Sequence, residues 1–144
     1  MFRTILLAAV GLAVLPYAHA EEPTKKPEPI RKIPVTVDPM AAAKLQCTPG
    51  VTVVSAEKQI QKFFGKAIAK QITGKIDFGK EDLVHVSWGS SGPPFGDLQF
   101  KKDGKIITFF VKEPKVEMRG QAYRLGNDFF AVPRKAKVKF GGAR

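Results

Sequence analysis

The chain has a single cysteine, Cys47, in 144 residues. No intramolecular disulfide can form, so the fold must stand on its apolar core. Cys47 lies in Leu45-Gln46-Cys47-Thr48-Pro49-Gly50, where a buried small hydrophobe, a thiol for intermolecular pairing and a nucleophile are all open readings. Histidine is almost as scarce, with two residues. One cysteine, His85 and scattered carboxylates have none of the spacings of a metal site, so neither metal nor cofactor is expected. The glycine-rich stretch near residue 90 lacks the lysine of a phosphate-binding loop. No serine there has a glycine both two before and two after it, which excludes a nucleophile elbow. Long hydrophobic runs are also missing. The longest, Ile5 through Leu15, falls short of the roughly 20 residues that cross a bilayer.

That short run has a different meaning. Arg3 precedes it, and Ala18-His19-Ala20 followed by Glu21-Glu22-Pro23 has the small residues a signal peptidase accepts and a polar start just beyond. Residues 1–20 are therefore expected to be a signal peptide cleaved after Ala20. The mature protein is then periplasmic or extracellular, in a bacterial type of cell, with no transmembrane segment. No cysteine stands at the end of the apolar region, which argues against a lipid-modified N-terminus.

Acidic residues are the other shortage. Arg3 is the only charged residue before Ala20, so 23 of the 24 basic residues and all 13 acidic ones remain after cleavage, a formal charge of +10 against +11 for the whole chain. Such a field favours anionic partners. Export argues against nucleic acid and leaves an anionic envelope polymer, a membrane surface or an exported protein.

Residues 21–39 hold Pro23, Pro27, Pro29, Pro34 and Pro39 among Lys, Arg and Glu. That composition reads as an extended Pro/Lys-rich linker. Residues 40–144 suit one small domain. Within it, a helix is expected from about Ala56 to Thr73, with Ser55 as N-cap, Glu57 in the first turn and Gly74 as the stop. Ile60, Phe63, Phe64, Ala67, Ile68 and Ile72 make its apolar face, and Lys58, Lys62, Lys66 and Lys70 line a neighbouring stripe. The stripe is either a solvated face or a surface that docks on an anionic polymer or membrane.

Strands follow. Val84, Val86 and Trp88 alternate with Leu83, His85 and Ser87, the latter on the less buried face. Asp103-Gly104 signals a hairpin joining 98–102 to 105–111, with Lys102 opposite Lys105. Leu98 and Phe100 then share a face with Ile107, Phe109 and Val111, opposite Gln99, Lys101, Ile106, Thr108 and Phe110. Gly126-Asn127-Asp128 reads as the turn of a second hairpin between Gln121–Leu125 and Phe129–Val132, which Pro133 ends. Ala136, Val138 and Phe140 alternate with Lys135, Lys137 and Lys139 in a last strand with one basic face, protective or polyanion-binding. The expected class is α+β, one amphipathic N-terminal helix packed on an antiparallel meander of about four to six strands.

The order of a long helix and then antiparallel strands resembles the cystatin-like architecture. The inhibitor family's Gln-x-Val-x-Gly hairpin is absent, so the resemblance implies a fold and no inhibitory residues. Leu83 through Pro133 is also similar to small uncharacterised exported bacterial domains that pair a strand, a Gly-rich loop and a hairpin.

Among candidate sites, Gly89 through Gly96 has a fixed path that offers Ser90, Ser91 and the rings of Trp88 and Phe95 as a shallow binding surface. A catalytic site would have to gather Cys47 or Ser90, His85, and Asp77, Asp82 or Asp97. Nothing in the spacing assembles them. The leading expectation is a non-enzymatic exported binding module that engages an anionic envelope component. The alternatives are an inhibitor or accessory subunit of an exported protein, marked by an apolar patch at Ile106 and Phe110, and a small exported hydrolase using Cys47 or Ser90 with His85.

Overall fold

Every residue from Glu81 to Trp88 is buried, which requires cover on both faces of the strand that carries them. The computed structural model, which describes residues 29–45, 48–115 and 122–143, supplies it with two sheets and a helix. In chain order the elements are β1 (Arg31–Ile33), α1 (Pro39–Lys44), β2 (Gly50–Val54), α2 (Glu57–Ile72), β3 (Glu81–Ser91), β4 (Asp97–Asp103), β5 (Ile106–Lys112), β6 (Tyr123–Pro133) and β7 (Lys137–Ala143). One sheet has the order β1-β6-β3-β2 and is antiparallel throughout; the other is β4-β5-β7, with β5 and β7 parallel. The protein is thus of mixed α and β structure with mostly antiparallel strands.

The alternation of β3 divides the core in two. On one side Leu83 joins Ile60, Phe64, Ile68 and Ile72 of α2 with Phe129 and Ala131. On the other, Val84, Val86 and Trp88 meet Ile107, Phe109 and Val111 of the second sheet. Each fully buried Ile or Phe stabilises by roughly 1.5–3 kcal/mol. His85, expected on the less buried face, is 2% exposed. Its Nε2 lies 2.9 Å from Asn127 Oδ1, and the Phe64 and Phe129 rings flank it at 5.2 and 4.9 Å. The Asn127 amide partners Nε2, and the two aromatic rings pack the imidazole into the helix-side core.

The helix differs from expectation in two respects. Ala56, not Ser55, stands at the cap, without a side-chain bond, and Gly65 at φ 82, ψ 168 interrupts the helix so that two segments share one core face. Phe63 beside the break is 50% exposed, so the apolar face is narrower than the sequence suggests. Glu57 in the first turn and Gly74 at φ 80 past the end are as expected.

Residues 30–39 are not linker. Ile33 is buried, β1 pairs with β6, and Arg31 Nη2 meets Glu81 Oε2 at 2.7 Å. Gln71 of α2 accepts the Thr36 N–H at 2.8 Å and donates to its carbonyl at 2.9 Å. The alternating side chains Ile33, Val35 and Val37 pack in the helix-side core, and Ile30, out of phase with them, packs against the other. The expected signal peptide and residues 21–28 lie outside the described residues, as does Cys47.

The first hairpin keeps its expected faces with a shifted register. Asp103 pairs with Ile106 and Lys102 with Ile107, which leaves Gly104, at φ 56, as the first turn residue, where glycine is favoured. Each strand moves by one residue, so the pair sum changes by two and no side chain changes face. The expected second hairpin does not exist. Gly126, Asn127 and Asp128 lie inside one continuous strand, β6, paired with β3 from Glu81↔Pro133 to Ser91↔Tyr123. Each turn-forming residue has a tertiary reason to be there. Gly126 lies under the Trp88 ring, Asn127 bonds His85, and Asp128 Oδ2 accepts the Trp88 Nε1–H at 2.7 Å.

A Cβ on Gly126 would come within 2.1 Å of Trp88 Cε2, so Gly126→Ala must displace the ring and break its bond to Asp128. A loss of about 3 kcal/mol is expected. Urea unfolding measures it, and an unchanged midpoint would refute the contact.

Candidate anion-binding site

Four basic residues line one pocket where the β4–β5 turn meets the corner between β6 and β7. Pro133, which has no N–H to continue the ladder, ends β6. The chain then folds back, with the Ala136 N–H donating to the Pro133 carbonyl at 3.1 Å and the Lys137 N–H to the Lys105 carbonyl at 2.8 Å. Lys135 takes the left-handed conformation at φ 66, and its N–H donates to Asp82 Oδ2 at 3.2 Å. The Arg134 N–H donates to the Lys80 carbonyl at 2.8 Å and its guanidinium to the Phe78 carbonyl. These bonds fix a pocket of about 240 Å3. Lys102, Lys105, Arg134 and Lys135 surround it, Gly104, Ile107, Pro133 and Ala136 complete it, and no carboxylate lines it.

The basic surface continues around the outside of the second sheet. Thr108 lies between Lys101 and Lys139, and Ile106 between Asp103 and Lys137, on the face turned away from Ile107 and Phe109. Between Asp97 and Ala143 the described residues of this sheet and its connections, 97–115 and 134–143, carry nine basic and three acidic side chains.

The expected site residues are scattered over the molecule. Lys58, Lys62, Lys66 and Lys70 are all exposed on α2, but the break at Gly65 divides them into two pairs. Lys137 and Lys139 are exposed on β7, and only Lys135 joins the pocket. Trp88 is not a binding surface. It is 4% exposed, closed by Phe130 and the second sheet, with the Arg124 guanidinium 5.5 Å from its ring centroid. Ser90 is also buried, accepting the Gly96 N–H at 2.7 Å and donating to Glu113 Oε2 at 2.9 Å. The Gly89–Gly96 connection is therefore held from inside by its serine. Ser91 remains exposed and Phe95 is half-buried.

Ser90 and His85 project from opposite faces of β3, so they do not form a nucleophile–base pair. Asp77 binds the Gly79 N–H, and Asp82 the corner. Among the described residues, no three His, Cys, Asp or Glu side chains cluster as metal ligands, and no helix is long and apolar enough to cross a membrane. Sequence reasoning missed Lys102, Lys105 and Arg134. Their signal was present in Lys-Lys-Asp-Gly-Lys across a turn and Arg-Lys after a strand-ending proline, but not their adjacency. Comparison of the chain with protein families, curated proteins and solved structures finds no match.

Two titrations bear on the frame behind this site. Burial holds His85 below its ordinary pKa of 6.5, against the opposing effects of the Asn127 bond and nearby Asp128. The unfolded chain takes up this proton more readily, so the contribution is complete above about pH 6.5 and is lost as pH falls. The Arg31 hydrogen bond holds Glu81 below its ordinary 4.5, against burial, so its contribution is present above that value and is lost as pH falls through the lowered pKa. Unfolding midpoints should therefore fall between about pH 7.5 and about pH 5.5, and His85→Gln should flatten that interval. A wild-type midpoint that does not change there would contradict the burial of a neutral imidazole.

Proposed function

We propose that the protein is an exported, non-catalytic binding module that engages an anionic cell-envelope component through the basic end and outer face of its β4-β5-β7 sheet. The observation that carries this reading is the convergence of Lys102, Lys105, Arg134 and Lys135 on one pocket without a carboxylate in its lining. Cations brought together by turn and corner geometry raise the local concentration of anions well beyond what dispersed surface lysines achieve. Export rests on the Arg3, apolar run and Ala18-His19-Ala20 pattern of the sequence. The cystatin-like resemblance is an architectural proposal and supplies no residue to the site.

A second reading, an accessory subunit or inhibitor of an exported protein, draws on Ile106. It is 37% exposed on the outer sheet face, beside half-buried Thr108 and in the same row of outward positions as Phe110. The two readings differ in salt dependence.

Binding of the intact protein to acidic polymers from a cell envelope should weaken by roughly tenfold or more from low to high salt. Lys102→Glu/Lys105→Glu should abolish it, whereas Lys62→Glu/Lys66→Glu should have a smaller effect. Salt-resistant capture of one protein, insensitive to both variants, would favour the accessory-subunit reading.

A further inference from the structure

We infer that the pocket between the β4–β5 turn and the Pro133–Ala136 corner receives an amphipathic small anion, a phosphate or carboxylate head on a short apolar chain. This rests on the anionic-partner reading above and specifies its ligand. A polyanion needs only exposed cations, and the row of Lys101, Thr108 and Lys139 on the outer face already provides them. The pocket adds apolar surface within reach of the charge, from half-buried Pro133 and Ala136 and the aliphatic stems of the lysines, over a floor closed by Ile107. Such surface gains from displacing water and does nothing for a bare, hydrated anion.

The walls are preorganised. The Lys105 carbonyl is bonded to the Lys137 N–H, the Lys135 N–H to Asp82 and the Arg134 N–H to the Lys80 carbonyl, so little ordering remains for binding to impose.

The test titrates the intact protein with inorganic phosphate and with n-alkyl phosphates of increasing length, kept below their micellar concentrations, and follows backbone amide shifts. Affinity should rise about fourfold per methylene over the first few carbons and then level off. The amides of Gly104, Ile107 and Ala136 should shift. Lys105→Glu/Lys135→Glu should weaken every member of the series by about tenfold or more. Ala136→Leu, which fills apolar space, should remove the length dependence and spare inorganic phosphate. Vesicles containing anionic lipid, competed by a soluble alkyl phosphate, distinguish a membrane headgroup from a free amphiphile as the source. Equal affinity for inorganic and alkyl phosphates in the wild-type protein, or amide shifts confined to other surfaces, overturns the inference. If acidic polymers still bind in a salt-sensitive way, the broader reading survives that result; if neither polymer nor alkyl phosphate binds, both fail.

Discussion

The double burial of β3 is the constraint on which the rest of the structure depends. Its apolar residues define the two cores, but its polar residues determine which distant segments must be present. A buried polar group without a partner costs about 1–3 kcal/mol, and β3 contains several. Glu81 is met by Arg31 of β1, one oxygen of Asp82 by the Lys135 amide at the corner while its Oδ1 has no partner among the described residues, His85 by Asn127 and Trp88 by Asp128 of β6. Ser90 is met by Gly96 and by Glu113 just beyond β5. All but the Ser90–Gly96 bond tie a segment remote in sequence to the central strand. The N-terminal strand, the connection after β3 and the β6–β7 corner are therefore not ornaments on a sandwich. They are the partners without which the middle strand could not be buried.

This arrangement also determines where charge can go. The four-stranded sheet gives one face to α2 and the other to the second sheet, so the buried run Glu81–Trp88 of its central strand β3 has no free surface for a lysine. The second sheet gives only one face to the core, and its outer face and its turns must take the cations of Lys-Lys-Asp-Gly-Lys and of Arg134 to Lys139. Three of the four pocket cations lie in a turn or corner, where backbone bonds fix the position and solvent keeps the charge hydrated. The concentration of positive charge at that end follows from the layer order.

What the sequence discloses and what it hides follow the same division. The faces of β3 and of the first hairpin are legible because a period of two is a local property that survives even a shifted register. The helix is legible from its four-residue spacing, although Gly65 interrupts it. Gly126-Asn127-Asp128 is not legible, since its residue types are those of a turn and only the presence of Trp88 and His85 across the strand pair explains them. Residues 30–39 are misread for a related reason: averaged composition conceals Ile30, Ile33, Val35 and Val37 among the prolines. Trp88 and Ser90 look available in sequence because Phe130, Glu113 and Gly96 come from elsewhere in the chain. The pocket escapes notice because its two halves are about 30 residues apart and adjoin through a parallel pairing of β5 with β7 that no local signal announces.

A field made by nine cations and three anions attracts acidic partners of many kinds and is screened within about 10 Å at ordinary ionic strength. Attraction of that sort supplies encounter and little discrimination. Burial of apolar surface behaves differently, because it is short-ranged, requires shape and is not weakened by simple salts in the same way. At the β6–β7 corner the two lie within one pocket, with half-buried Pro133 and Ala136 beside Lys105 and Lys135. An anion held only by the field leaves as salt rises, whereas one that also covers those apolar atoms retains part of its affinity. On the proposed function, binding that persists at high salt would report the apolar contact itself, and selectivity would reside in that contact.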